Sequence, residues 1–286
     1  MRGQYRQQLL ARSYLKLLRD SLCNLHYPRQ DSSPVSAAEL AQAQTTLETV
    51  RERFADHPQA QVRHLLRQIT PQLAVEWFRR NSWQAYTLLD EAGLDNIQRC
   101  TSQILETNVA GDLIECGVWR GGSCIFMRGL LRAFGDGRRQ VWVADSFQGL
   151  PEPDPQVSPL DAISHEFLRV IGGLRCSLEE VTENFRRFDL LDRRVRFLPG
   201  WFQDSLPAAP IEKLALIRLD ADYYESTRQA LEALYPRLSS GGFVIVDDYG
   251  SAGLGARRAV DDFRRQQSIR GTLRGVNENI AYWEKE

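Results

Sequence analysis

The sequence predicts an α/β protein with a doubly wound, mostly parallel sheet and an N-terminal helical extension. Three observations carry that expectation. From Ala85 onward, short apolar runs alternate with amphipathic helical stretches, the order that builds right-handed parallel crossovers. Two of those runs stop at carboxylates: Leu216-Ile217-Arg218-Leu219-Asp220-Ala221-Asp222 and Phe243-Val244-Ile245-Val246-Asp247-Asp248. A glycine-rich turn, Gly117 to Gly122, leads from another run into an apolar helix.

Taken in order, residues 1–80 read as a helical extension or cap and carry no strand pattern. Tyr14, Leu15, Leu17, Leu18, Leu22 and Leu25 form an amphipathic stripe. A polar, Pro-containing break spans His26 to Pro34, and a more polar helical stretch runs from Ser36 to Phe54. Asp56-His57-Pro58 and then Pro71 mark further boundaries. Residues 81–286 read as the sheet domain. A helix through Leu94 to Leu105 precedes the first strand, Asp112 to Cys116. A helix over Ser123 to Phe134 follows the glycine turn, and Val141 to Ala144 is the second strand. Asp145 to about Leu160 is a Pro-, Asp- and Gly-rich loop. Ser177-Leu178-Glu179-Glu180 is a capping-box start for a helix ending at Phe188. The third, fourth and fifth strands are Val195 to Leu198, Leu214 to Leu219 and Phe243 to Val246. Between the last two, Leu231, Leu234, Tyr235 and Leu238 recur at helical spacing. Pro236 ends or kinks that helix, and Ser239-Ser240-Gly241-Gly242 is a stop. A helix near Arg257 to Gln267 and a strand near Ala281-Tyr282-Trp283 close the chain.

Composition limits the function classes. The 286 residues are 43% hydrophobic and 26% charged with a net charge of −1, which is ordinary for a globular protein with a sizeable core. Near-cancelling charge gives no reason to expect a nucleic acid or an anionic membrane as partner. No apolar run approaches the roughly 20 residues that span a bilayer, and Arg12 interrupts the apolar stretch a signal peptide would need. The five cysteines are scattered, odd in number and without Cys-x-x-Cys spacing. They suit a reducing cytoplasm and argue against a disulfide framework or a zinc site.

The two acidic strand ends are a candidate cation site. A crossover that sets those strands side by side puts their carboxylates roughly 5 Å apart, one strand spacing. Like charges that close repel unless a cation offsets them, and all-oxygen ligands suit a hard divalent ion. A lone Asp in such a place is otherwise a helix cap or a solvated loop acid; Asp222 is expected to serve the following turn or helix start.

The glycine turn, Ile114-Glu115-Cys116-Gly117-Val118-Trp119-Arg120-Gly121-Gly122-Ser123, is a generic cradle above a helix N-terminus. The dinucleotide fingerprint needs a second glycine where Trp119 stands, which argues against a pyrophosphate. No Gly-Lys-Ser/Thr follows, so it is not a P-loop. Asp145 ends the second strand 23 residues past Gly122, where an acid accepts hydrogen bonds from ribose hydroxyls. A ribose-binding acid without room for a pyrophosphate points to S-adenosylmethionine. The bland alternative is a structural glycine turn with Asp145 capping a loop. His26, His57, His64 and His165 are dispersed and read as structural, with His165 held in reserve because it follows the loop after the second strand. No Gly-x-Ser-x-Gly elbow appears, and Arg257-Arg258 and Arg264-Arg265 read as solvated helix faces.

With these residues in view the chain resembles the macrocin O-methyltransferase family, enzymes that use S-adenosylmethionine and magnesium to methylate sugar hydroxyls of natural products. The resemblance rests on Gly111 to Gly122, Val143 to Pro151, Leu198-Pro199-Gly200-Trp201-Phe202, Leu219 to Thr227 and Val246 to Gly250. It covers roughly residues 85–285, and more loosely the N-terminal Tyr14 to Tyr27. Where the family usually shows Glu-Thr-Gly, this chain has Glu115-Cys116-Gly117, which keeps a small residue.

The resemblance implies a class I methyltransferase-like Rossmann fold for the sheet domain. It implies that Asp220, Asp247 and Asp248 hold Mg²⁺, with Asp220 the candidate catalytic base. It further implies a cofactor site formed by Thr87, Glu115, Gly117, Gly121, Gly122, Ser123, Asp145, Ser146, Phe147, Gly149, Phe202 and Gln203. The expected partner is a small-molecule hydroxyl acceptor, a sugar or glycoside; the expected protein is a cytoplasmic homo-oligomer. Two alternatives stay open: a catechol or phenol methyltransferase with the same metal site, favoured if Trp119, Trp201, Tyr223 and Tyr224 line the acceptor pocket, and a non-catalytic nucleoside-binding protein.

Overall fold

A computed structural model describes residues 2–25, 35–53, 55–56, 63, 67, 69–73, 75, 85–170, 174–251 and 254–286 of the 286-residue chain. The breaks expected at 26–34 and at His57-Pro58, the end of the second helical stretch at Phe54, and His26, His57 and His64 lie outside those residues.

Seven strands form one sheet: β1 (Asp112–Cys116), β2 (Val141–Asp145), β3 (Val195–Pro199), β4 (Leu214–Leu219), β5 (Leu238–Val246), β6 (Arg274–Gly275) and β7 (Ala281–Glu284). Their spatial order is β3-β2-β1-β4-β5-β7-β6. The first five are mutually parallel; β7 runs antiparallel to β5, and β6 to β7. The order reverses between β1 and β4, the switch point where open α/β sheets bind ligands at their C-terminal strand ends.

Nine helices among the described residues flank the sheet: α1 (Arg2–Leu22), α2 (Ala37–Arg53), α3 (Glu91–Glu106), α4 (Gly122–Ala133), α5 (Pro159–Val170), α6 (Leu178–Arg187), α7 (Phe202–Ala208), α8 (Tyr224–Leu234) and α9 (Ala256–Gln266). Strand side chains alternate between the two faces. Leu113, Val143, Leu216 and Ile245 face a core shared with α1, α3, α4 and α6. Ile114, Trp142, Ile217 and Val244 face a second core with α7, α8 and α9.

Local chemistry explains the helix ends. Asp90 caps α3 by accepting from Gly93 N, and Ser177 caps α6 by accepting from Glu180 N, as the capping box predicts. Pro236 lies in a 3₁₀ turn, Tyr235–Arg237, just past α8. Here the expected stop at Ser239–Gly242 gives way: these residues belong to β5, whose pairing with β4 slips between Leu214 and Leu216. Gly241 N and Lys285 N complete that edge by donating to Lys285 O and Gly242 O. Helices α5 and α7 and the two-residue β6 were not foreseen. Helix α7 and β6 are short, with Pro207 inside α7, and α5 begins within the stretch read as a loop.

The N-terminal stripe divides. Leu15, Leu18 and Leu22 are buried in the sheet's core, whereas Leu17 and Leu25 are exposed. Helix α2 packs on α5 through Val50, Ala162 and Ile163. No helix among the described residues is long and apolar enough to cross a membrane.

Candidate active site

Parallel register brings the strand ends to one edge. Cys116 pairs with Leu219 and Leu219 with Val246, so Gly117, Asp220 and Asp247 are the next residues along three neighbouring strands. Backbone bonds fasten them: Asp220 N donates to Cys116 O and Asp247 N to Leu219 O, each at 2.9 Å. Gly117 (φ 84°) must be glycine, because a Cβ there would lie 1.8 Å from Asp220 O.

Two adjoining cavities open at this edge. The first, of about 750 Å³, is walled by Gly117, Trp119, Asp145, Ser146, Gly149, Trp201, Phe202, Gln203 and Tyr223 among others. The second, of about 810 Å³, is walled by aliphatic residues such as Ile69, Leu73, Leu168, Leu254 and Ile280, and by Asp247, Asp248, Asn277 and Glu278. Leu88, Leu174, Asp220 and Asp222 belong to both walls.

Six of the residues expected at the cofactor line the first cavity: Gly117, Asp145, Ser146, Gly149, Phe202 and Gln203. Asp145 accepts from Val118 N and Phe147 N, both at 2.8 Å, which fixes its carboxylate between the β1 and β2 loops. Burial pushes its pKa up, against the pull of those N–H donors. Ser146 Oγ donates to Gly149 O at 2.7 Å and accepts from Gln148 N, closing the turn.

The other six are not among the residues that line this cavity. Glu115 is fully buried, accepting from Ser123 Oγ at 2.5 Å and Cys124 Sγ at 2.7 Å, and ion-paired with Arg218. It points to the helix side of the sheet because it shares a face with Leu113. Ser123 is consumed by that contact. The Phe147 ring packs edge-on to Phe197 in the core. Gly121 faces Val181 of α6, Gly122 lies against Tyr86 O, and Thr87 Oγ1 accepts from Leu89 N.

The acids converge. One carboxylate oxygen from each of Asp220, Asp247 and Asp248 lies within 4.8 Å of the others. Burial, then the charge of Asp220, pushes the Asp247 pKa well up; burial, then the charges of Asp222 and Asp220, does the same for Asp248. Asp248 Oδ2 is buried and accepts no hydrogen bond, an orphaned anionic oxygen that a cation would satisfy. Arg218, ion-paired with Asp220 and Asp247 and also with Glu115, is too little positive charge for the four carboxylates gathered here, Asp222 included. This donor set, all hard oxygens with a deficit of positive charge, fits a divalent ion such as Mg²⁺.

Asp222 does serve the turn: its φ is 55° and its carbonyl accepts from Ala256 N. Its carboxylate is nonetheless in the site, and burial followed by Asp220's charge raises its pKa well above the usual range. Leu88, Leu174 and Asn277 to Ile280 were missed because they reach the site only through long-range packing. Arg218 carried a signal, a charge inside an apolar central strand, where charged residues are rare unless paired. His165 of α5 meets Tyr223 Oη at 3.3 Å through Nδ1, beside the first cavity.

A family model described as Macrocin-O-methyltransferase (TylF) matches residues 11–285. Among curated relatives, a mycinamicin III 3''-O-methyltransferase from Micromonospora griseorubida is 38% identical over 274 residues, covering 95% of this chain and 96% of that protein. An 8-demethyl-8-(2,3-dimethoxy-alpha-L-rhamnosyl)-tetracenomycin-C 4'-O-methyltransferase from Streptomyces olivaceus is 50% identical over 201 residues, 70% of this chain and 75% of that one. The solved structure of the O-methyltransferase NovP superposes with a TM-score of 0.67 at 40% identity, covering 86% of this chain and 98% of that chain.

Proposed function

The chain belongs to the macrocin O-methyltransferase family and is an S-adenosylmethionine-dependent O-methyltransferase; we propose that it methylates a sugar hydroxyl of a glycosylated natural product, with Mg²⁺ held by Asp220, Asp247 and Asp248. The observation that carries this reading is the shared wall: the acid trio converges where a cofactor-sized cavity meets a second one lined by both aliphatic and polar residues.

In this reading the first cavity takes S-adenosylmethionine. Asp145, fixed by Val118 N and Phe147 N and lining the cavity, is the acceptor offered to a ribose hydroxyl. The Ser146 to Gly149 turn, Phe202 and Gln203 supply the rest of the wall. A magnesium ion held by Asp220, Asp247 and Asp248 would supply Lewis acidity that lowers the pKa of an acceptor hydroxyl. Asp220, whose Oδ2 accepts from Arg218 Nη1 at 3.1 Å, takes the hydroxyl proton. The acceptor oxygen attacks the methyl carbon, the carbon–sulfur bond breaks, and its electron pair leaves with the neutral thioether. Leu88 and Leu174, common to both cavities, keep water from the reacting pair. Holding both reactants across one wall supplies the proximity that methyl transfer requires.

The aromatic residues favour a sugar over a phenol. Trp119, Trp201, Phe202 and Tyr223 line the first cavity, and no aromatic ring among the described residues lines the second. The Streptomyces olivaceus relative is named for a rhamnosyl-bearing substrate. The test is a labelled-methyl transfer screen over glycosides, flavonoids and catechols, with and without EDTA, on the native chain and Asp247→Asn. Glycoside methylation that EDTA abolishes is expected, with loss of that activity but retained cofactor binding in the variant. Full activity of Asp247→Asn, or transfer to catechols alone, would sink the reading.

A further inference from the structure

Beneath the acid trio lies a guanidinium that is immobilised from behind. Arg218 is the penultimate residue of β4 and 1% exposed. Its register partner on β1 is Glu115, and alternation sets both on the face that carries Leu113 and Leu216. Arg218 Nη1 is ion-paired with Glu115 Oε1, whose carboxylate is itself gripped by Ser123 and Cys124 of the first turn of α4. The same Nη1 donates to Asp220 Oδ2 at 3.1 Å, while Nη2 lies 3.1 Å from Asp247 Oδ1 as an ion pair without hydrogen-bond alignment. One side of the fork is thus anchored in the core while both amino groups face the proposed metal ligands.

We propose that Arg218 is the positioning residue of the metal centre: by occupying one oxygen of Asp220 and one of Asp247, it leaves each a single oxygen for a cation and so selects a small octahedral ion over a larger one. Calcium takes six to eight oxygens and often both oxygens of a carboxylate; magnesium holds near-octahedral geometry with few carboxylates and several waters. A carboxylate with one oxygen committed to a planar guanidinium cannot become bidentate without breaking that contact. The rigid fork matters here, since an ammonium is a point charge on a flexible stem and does not fix the relative positions of two carboxylates. The inference rests on the metal reading above.

The experiment is calorimetric titration of the full chain with MgCl₂ and separately with CaCl₂, on the native protein, Arg218→Lys and the charge-neutral pair Glu115→Gln/Arg218→Met. The Lys variant keeps the charge and the double variant removes Glu115 together with its buried ion-pair partner, so each covers for the other if one does not fold. Both are expected to lose Mg²⁺-over-Ca²⁺ preference by on the order of tenfold, the scale of removing a group that orients metal ligands, while S-adenosylmethionine binding persists. An unchanged preference in a variant that melts cooperatively would overturn Arg218's role. A native preference in Arg218→Lys would equally overturn it, by showing that charge without the fork suffices. Absence of any Mg²⁺ binding by the native chain would instead overturn the metal reading itself.

Discussion

Gly122→Ala tests how tightly the site depends on its flanking segment. A Cβ at Gly122 would stand 2.3 Å from Tyr86 O and 2.8 Å from Thr87 Cβ. Carbon and oxygen rest at roughly 3.3 Å, so the 85–89 segment must retreat by about 1 Å. The Gly122 N to Tyr86 O bond at 2.9 Å goes with it, a loss of about 1 kcal/mol. The same segment carries Leu88, which walls both cavities. A misplacement of about 1 Å between reacting groups costs up to ~10²-fold in rate. The variant is therefore expected to melt a few degrees lower and to lose one to two orders of magnitude in kcat/KM, measured by labelled-methyl transfer. Gly137→Ala, where an added Cβ meets nothing within 4 Å, is the control. Native kcat/KM in Gly122→Ala would refute the view that Leu88 and its segment are held in place from below.

Two further predictions concern stability. Leu22→Ala, at a fully buried position of α1, should cost roughly 2–5 kcal/mol in urea unfolding; an unchanged midpoint would mean that α1 contributes nothing to the core. The Arg128 guanidinium holds the Asp192 carboxyl below the usual range. A depressed acid stabilises the fold above its unfolded pKa and loses that contribution as pH falls through the folded one. Asp192 is 43% exposed, which limits the effect, so Asp192→Asn should cost about 1 kcal/mol at neutral pH. That gap should narrow only below about pH 4; a gap that is the same at pH 3 and pH 7 would count against the ion pair.

Strand identity was legible because each apolar run has a sharp end. Asp112, Asp145, Asp220 and Asp247 mark those ends without help from tertiary structure. The convergence of Asp220, Asp247 and Asp248 followed from one crossover, Tyr224 to Leu238, that sets two strands side by side. What the sequence hid was depth. Glu115 ends its strand as Asp145 does, yet its neighbour across β4 is an arginine, and register is a long-range fact that no local pattern states. Ser123 and Phe147 illustrate the same point: a residue beside a cavity in sequence can have its side chain engaged elsewhere in space. Asp222 erred in the opposite direction, its left-handed backbone fitting the turn while its carboxylate entered the site. Residues 277–280 come from the far end of the chain and were invisible until β7 folded back beside β5.

The hydrogen bond from Asp220 N to Cys116 O has a bearing on how such an enzyme changes its substrate. The loop beside the cofactor cavity and the carboxylate at the proposed metal are successive residues on bonded strands, so their separation is set by the pitch of the sheet, near 4.8 Å between neighbours. Side-chain substitution cannot lengthen it. The aliphatic lining of the second cavity is drawn from 69–73, α5, Leu254 and the approach to β7, none of which belongs to that ladder. On the proposed assignment, selection can therefore rebuild the second cavity repeatedly while the spacing between the Gly117 turn and Asp220 is inherited unchanged.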